Sequence, residues 1–175
     1  MLGPLIVTAG FILFAVVLGG GSYWKTYFPA ALVLGLGMAI VVAPLTTVVM
    51  SSVDQQHAGT ASGINNAVAR VAGVLAIAVF GYVMVKVFDT RLETNLGNLN
   101  ISPNIIQEIR SREMELAALQ PPQGLDANAV MTIRGAISES FISGFRVVLF
   151  CCAALSMASA LVARHFVTPA ATDST

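Results

Sequence analysis

Two asparagines and an arginine interrupt an otherwise apolar run, and they are the side chains of this sequence best suited to chemistry. Asn65, Asn66 and Arg70 lie within residues 58–85, a stretch with the length and composition of a membrane-spanning helix. A charged side chain near the bilayer centre costs about 3 kcal/mol and nearly always faces protein or a water-filled path. Arg70 therefore indicates a transporter or a channel rather than a passive anchor.

Helix geometry limits what these three residues can do together. Neighbouring residues point about 100° apart, so at most one asparagine can face a given neighbour. Asn65 and Asn66 either form hydrogen bonds to another helix, which we favour, or contact a substrate. Arg70 lies one turn beyond Asn66 on the same face, and the predicted spans hold no Asp or Glu to pair with it. An acidic partner must then come from outside this chain, unless backbone carbonyls and water take its place.

Further candidates are two threonines, a proline and a set of glycines. Thr46 and Thr47 either line a cavity or form hydrogen bonds to their own helix. Pro44 removes a backbone donor and predicts a kink, which is either purely structural or lies beside a cavity. Gly59 and Gly63 form a GxxxG pattern that lets two helices approach closely. The predicted helix-packing positions are Gly35, Pro44, Gly59, Gly63 and Gly73.

Composition indicates a membrane protein. Hydrophobic residues make up 56% of the chain and charged residues 10%, with a mean hydropathy of +0.80, whereas a soluble domain has about 25% charged residues. The zero net charge and the lack of a basic tract argue against nucleic-acid binding. The sequence has no metal-ligand spacing, nucleophile triad or phosphate loop, so it predicts neither a metal site nor an enzyme. Cys151 and Cys152 are adjacent and are interpreted as packing residues.

Four apolar segments are candidates to cross a bilayer, which takes about 20 residues. The predicted segments are three spans in 1–87 (about 2–18, 28–53 and 58–85), an extramembrane helical loop at 88–140, a final span at 141–165 and a tail at 166–175. The expected fold is an all-α integral membrane protein with four transmembrane helices.

The loop carries most of the charge and has helix signals of its own. Ser102 before Pro103 predicts the start of a helix, and Pro121 ends it. Asp126 predicts the cap of a second helix that runs on into the final span. The apolar residues that share one face of the first helix are Ile105, Ile109, Leu116 and Leu119. We expect a helical hairpin lying on the membrane surface, with a partly disordered linker as the alternative.

One long stretch of the sequence resembles a known family. The run GLGMAIVVAPLTTVVMSSVDQQHAGTASGINNAVARVAGVLAIAVFGYV is similar to the end of fourteen-helix drug:proton antiporters of the major facilitator superfamily, the EmrB/QacA type. The shared pattern is a Gly-rich helix with a proline, a short polar turn, then AG-x-ASG, an arginine and a glycine. Ala76 departs from it, since the family more often has glycine there. The long polar segment before a last helix also fits.

The resemblance implies that this chain is the C-terminal four-helix portion of a longer proton-coupled efflux transporter. The second span would line the central cavity, and the third would pack across the interface between two halves. The implied partners are the lipid bilayer, the missing N-terminal helices and a small amphipathic or cationic drug-like substrate. A proton gradient would supply the driving force, without a cofactor. The alternative is a free-standing four-helix scaffold or regulatory protein without transport activity; Arg70 without an internal partner favours the transporter.

Charge counting and the resemblance disagree about orientation. Lys25, Lys86, Arg91 and Arg134 flank the spans on one side and Arg164 flanks them on the other, which favours a cytoplasmic loop. The resemblance implies an external loop and a cytoplasmic C-terminus in a multi-pass protein of the cell (inner or plasma) membrane. We follow the resemblance, because helices upstream of this chain would dominate the topology.

Overall fold

The computed structural model describes residues 2–51, 53–97, 99, 102–122 and 124–166, without the side chains of 43–46, 49–51, 113 and 166. The α-helices are α1 (Leu2–Val17), α2 (Tyr23–Ser51), α3 (Ala58–Gly97), α4 (Pro103–Arg110) and α5 (Ala127–Phe166), with 3-10 turns at Gln55–His57 and Glu113–Ala118. The described residues contain no strand. The prediction of an all-α membrane protein is therefore confirmed.

Three of the described helices are long and apolar enough to cross a membrane. They provide apolar segments at Tyr23–Val42, Gln55–Gly97 and Ala127–His165. Helix α1 is apolar but has only 16 residues, fewer than the roughly 20 that span the hydrocarbon core. The count of four spans and their boundaries stay predictions. The predicted tail lies outside the described residues apart from Phe166.

Helices α3 and α5 are much longer than a bilayer requires. Each has 40 residues, or about 60 Å of helix, against a hydrocarbon core of about 30 Å. The first part of the loop thus continues α3 instead of forming a separate hairpin on the membrane surface. The reason is visible in the sequence, because Phe88, Leu92 and Leu96 keep a four-residue apolar spacing through the charged segment.

The structure divides into two compact units, Met1–Val68 with the segment from Leu149 onward, and Ala69–Val148. In the first unit, α1 and α2 pack closely at glycines. A Cβ added to Gly10 would lie 2.8 Å from the Leu34 Cα, and one added to Gly37 would lie 2.7 Å from the Val7 nitrogen. Small residues thus let the two backbones touch.

A carbonyl oxygen ties α5 to α1 within the first unit. The Ser156 hydroxyl donates a hydrogen bond to the Pro4 carbonyl at 2.8 Å, and the Thr8 hydroxyl donates to the same oxygen at 2.9 Å. Both donors lie in apolar helices, where a hydroxyl has few other partners. The bond from Ser156 fixes the start of α1 against the second half of α5.

The second unit has a hydrophobic core contributed by the loop and by the ends of α3 and α5. We call it the loop cluster, and its buried members are Phe88, Leu92, Leu96, Ile109, Leu119, Ile133, Ala136 and Ile137. A polar pair of the half-buried Asn95 and the buried Ser140 joins the two long helices. The Asn95 amide donates to the Ser140 hydroxyl at 3.1 Å, and that hydroxyl donates to the Ala136 carbonyl at 2.7 Å. The loop is therefore a packed helical unit in the residues described.

Two of the predicted helix starts are confirmed. Ser102 is the N-cap of α4 with proline in the first turn, although its hydroxyl makes no capping hydrogen bond. The Asp126 carboxylate accepts a hydrogen bond from the Ala129 amide at 3.0 Å at the start of α5. Local cap chemistry was thus readable without knowledge of the tertiary structure.

The single helix predicted through Leu119 is wrong, because α4 ends at Arg110. The Ser111 hydroxyl donates to the Glu108 carbonyl at 2.7 Å, which satisfies a backbone group at the helix end. Arg112 then donates two hydrogen bonds to Glu115 at 2.8 and 2.9 Å, and this bonding raises the pKa of the guanidinium. The four apolar residues of the predicted face still contact or join the loop cluster.

Candidate functional site

The polar and small residues of α3 share one face of the helix. At 100° per residue, Gly59, Gly63, Asn66, Arg70 and Gly73 fall within about 60° of a common line. All five are exposed, and a Cβ added to any of the three glycines would meet nothing within 4 Å. We call these five residues the α3 polar face. It is open along about four helical turns in the residues described.

The structure separates the two asparagines. Asn66 is exposed on the α3 polar face with Arg70, whereas Asn65 is half-buried and lies about 140° away from Arg70 around the helix. Only Asn66 can therefore act together with Arg70. The choice between interhelical bonding and substrate contact stays a prediction for both.

Arg70 is exposed and has no ion-pair partner within the described part of the chain. In the loop, Arg110 forms an ion pair with Glu93 at 3.3 Å and Arg112 forms one with Glu115 at 2.8 Å. Asp89, the first acidic residue of α3, lies about 28 Å from Arg70 along the axis. A charge in an apolar helix without a nearby carboxylate requires one from elsewhere, or carbonyls and water.

The rest of α3 up to the loop is apolar, and none of the residues 58–83 is buried. Large apolar side chains exposed by more than half are Ile64, Val68, Val71, Val74, Leu75, Ile77, Val79 and Tyr82. A helix that is apolar all round needs lipid or other helices around it. The α3 polar face therefore lies beside apolar surface that the described residues leave uncovered.

The candidates in α2 are less well defined by the structure. Helix α2 is continuous through Pro44, but the side chains of Pro44 and Thr46 lie outside the described residues. Thr47 is exposed, and a Cβ added to Gly35 would meet nothing within 4 Å. The roles predicted for these residues stay predictions.

Sequence reasoning missed the glycines that do mediate close packing. These are Gly3, Gly10 and Gly37 in the first unit and Gly144 in the second, where an added Cβ would come within 2.9 Å of an atom of a neighbouring helix. A signal was present, because Gly3 and Gly10 are seven residues apart and share one face of α1. The GxxxG pattern in α3 was more conspicuous but has no partner helix among the described residues.

Sequence reasoning also missed an open groove in the second unit. It has a volume of about 530 Å³ and is lined by Ala117, Ala118, Leu119, Gln120, Arg134, Ile137, Ser138 and Phe141. We call it the loop groove. A second open groove of about 570 Å³ runs along α4. No cluster of three or more metal-ligating His, Cys, Asp or Glu side chains forms in the residues described.

Comparison with curated proteins finds proteins named for drug resistance, export or transport. The tetracenomycin C resistance and export protein of Streptomyces glaucescens is 30% identical over 172 residues, covering 92% of this chain and 31% of that protein. Multidrug resistance protein Stp of Mycobacterium tuberculosis is 29% identical over 122 residues, covering 66% of this chain and 22% of Stp. The probable actinorhodin transporter of Streptomyces coelicolor is 40% identical over 63 residues, covering 36% of this chain and 11% of that protein.

The names of these relatives describe drug resistance, export or transport. The chain spans less than a third of the length of the relatives it matches. No family model matches the sequence, and no solved structure matches it. The compounds mentioned in these names refer to the relatives themselves.

Proposed function

We propose that this chain is the C-terminal four-helix portion of a proton-coupled multidrug or small-molecule efflux transporter of the EmrB/QacA type in the major facilitator superfamily. The observation that carries the proposal is the α3 polar face, which is exposed and holds Arg70 without a carboxylate nearby. Similarity to an export protein across 92% of this chain but 31% of that protein supports it. The helices missing from this chain would cover the face.

In this proposal the glycines of the α3 polar face let a helix from the other half of the transporter approach closely. Asn66 would donate or accept a hydrogen bond across that contact, and Arg70 would pair with a carboxylate there. A carboxylate next to a guanidinium has a lowered pKa, so the pairing would influence when the acid takes up or releases a proton. The substrate would be small and amphipathic or cationic, and the proton gradient would drive its export.

The proposed orientation places residues 88–140 outside the cytoplasm and the C-terminus inside, in a multi-pass protein of the inner or plasma membrane. A reporter that is active only outside the cytoplasm should be active when fused near Asn98 and inactive after Thr175. The reverse pattern would contradict this orientation and support the charge count.

The experiment that tests the function is replacement of Arg70 in the longer transporter. Arg70→Leu should reach the membrane normally, because the substitution removes the insertion cost. Efflux should fall by about tenfold or more, since a buried charged partner is left unpaired. Arg70→Lys should restore only part of the activity, because an ammonium cannot reproduce the planar fork of the guanidinium. Arg91→Leu is the matched control on the same helix and should leave efflux unchanged.

Two results would contradict the proposal. Normal efflux by a well-expressed Arg70→Leu variant would show that the arginine has no role in transport. Proton-dependent efflux by the 175 residues alone in liposomes would show that no further helices are needed. We expect the chain alone to insert but not to transport.

A further inference from the structure

The loop groove is lined by both polar and apolar side chains. The polar groups are the Arg134 guanidinium, the Ser138 hydroxyl and the Gln120 amide, all on exposed residues. On α5 the apolar lining residues are the buried Ile137 and the half-buried Phe141. None of the lining residues is acidic. The groove thus combines a cation and hydrogen-bond donors with an apolar floor.

The apolar floor continues along α5 toward the membrane-spanning segment. Ile137, Phe141 and Phe145 are four residues apart and form one stripe on the helix. The rings of Phe141 and Phe145 stack with centroids 6.2 Å apart and planes 8° from parallel, and Phe145 is 39% exposed. An apolar path therefore leads out of the groove into the part of α5 that begins the predicted final span.

The position of Arg134 matches the level of lipid headgroups. It lies two turns before Ile142, or about 12 Å along the helix axis. The headgroup layer and a flexible arginine side chain together cover that distance. Arg134 has no ion-pair partner among the residues described, and the nearest acid on α5, Glu139, lies about 140° around the helix from it.

We propose that the loop groove binds one anionic phospholipid of the surrounding bilayer. The phosphate contacts the Arg134 guanidinium and the Ser138 hydroxyl, and one acyl chain lies along Phe141 and Phe145. An anionic headgroup above an acyl chain matches the order along α5, where Arg134 comes before the two phenylalanines. The proposal requires only that α5 enters a bilayer, and it is independent of transport.

The test measures lipid contact at the groove with the whole chain in bilayers of mixed composition. The Phe141→Trp and Trp24→Phe substitutions leave a single tryptophan in the groove, and lipids with brominated chains quench it on contact. We expect stronger quenching by brominated phosphatidylglycerol than by brominated phosphatidylcholine at equal mole fraction. Arg134→Gln should weaken the preference for phosphatidylglycerol by about tenfold, as expected for a lost hydrogen bond to a charged group.

Arg91→Gln is the control, because Arg91 is exposed on α3 outside the groove, and it should leave the preference unchanged. A second readout uses the protein with its native Phe141 and Trp24. Native mass spectrometry measures the phosphatidylglycerol that copurifies with it, and Arg134→Gln should reduce that amount. Equal quenching by both lipids, or an Arg134→Gln variant with wild-type preference, would overturn the proposal. So would displacement of the lipid by glycerophosphate alone, since the acyl chain would then contribute nothing.

Discussion

The two halves of α3 differ in the exposure of their apolar side chains, although they belong to one continuous helix. In the half within the predicted span, Ile77 is 76% exposed and none of the residues 58–83 is buried. In the charged half, Phe88 and Leu96 are fully buried and Leu92 nearly so. Water drives the second half to bury its apolar surface against the loop. The first half keeps its apolar surface outward, as lipid or further helices require.

The comparison also explains how helices pack in the apolar part of the chain. Lipid is as apolar as leucine, so helix association there depends on close contact and hydrogen bonds. The contact of Gly10 with Leu34 and the hydrogen bond from Ser156 to the Pro4 carbonyl are both of this kind. The loop cluster instead depends on large side chains that fill a core.

The largest effect should come from removing a ring from the loop cluster. Phe88→Ala should lower the free energy of opening of this cluster by about 3–5 kcal/mol, because it leaves a cavity in place of a fully buried side chain. Amide hydrogen exchange over residues 88–96 measures this free energy. Leu75→Ala, at a side chain that is 60% exposed, should change it by less than about 0.5 kcal/mol. Similar losses from both substitutions would break the contrast between the two halves.

A smaller effect is expected where glycine lets α1 touch α2. Gly10→Ala should destabilise the helix pair by about 1–3 kcal/mol, because its Cβ would press on the Leu34 backbone. Thermal unfolding in detergent measures the loss. Gly73→Ala should cause none in this chain, since its Cβ meets nothing within 4 Å, and the alanine improves helix propensity. A loss of efflux by Gly73→Ala in the proposed longer transporter would sharpen the comparison, because it would show that a helix covers this face.

The polar pair of Asn95 and Ser140 should contribute less than either of these contacts. Ser140→Ala removes the hydroxyl that accepts from the Asn95 amide, and it should cost about 1 kcal/mol. Hydrogen exchange at the same amides of α3 provides the measurement. Ser138→Ala, two residues away and exposed, should be neutral. If the two serine variants behave alike, the pair adds nothing to the loop cluster.

The smallest effect should come from the ion pair between Arg110 and Glu93. Both side chains are about half exposed, and such pairs contribute about 0.5 kcal/mol or less. Arg110→Gln should therefore change the stability of the loop cluster only slightly at low salt and not at all at high salt. A loss as large as that of Phe88→Ala would mean that charge, and not apolar burial, holds the loop together.

Some elements of the fold could be predicted from the sequence and others could not, for physical reasons. Cap chemistry is local, so Asp126 and Ser102 predicted helix starts that the structure confirms. The extension of α3 to Gly97 was missed because its charges were interpreted as a loop, although the spacing of Phe88, Leu92 and Leu96 carried the signal.

The candidate site was predictable only in part. The cost of a charge in lipid singled out Arg70, and helix geometry placed Asn66 beside it. The partner of Arg70 could not be predicted, because the described residues supply no nearby carboxylate. The loop groove was not predicted, because it forms where the turn at 117–120 packs against α5. No local sequence pattern encodes such a tertiary contact.

The most direct test of the contrast between the two halves of α3 compares cysteine reactivity along that one helix. Single cysteines replace Leu75, Val79, Arg91 or Thr94 in a chain whose two native cysteines are alanine, held in lipid nanodiscs that expose both sides to reagent. A charged, water-soluble maleimide should label the Arg91→Cys and Thr94→Cys variants readily and leave the Leu75→Cys and Val79→Cys variants unlabelled. Labelling of the Leu75→Cys and Val79→Cys variants as fast as the Thr94→Cys variant would contradict a membrane-embedded first half of α3.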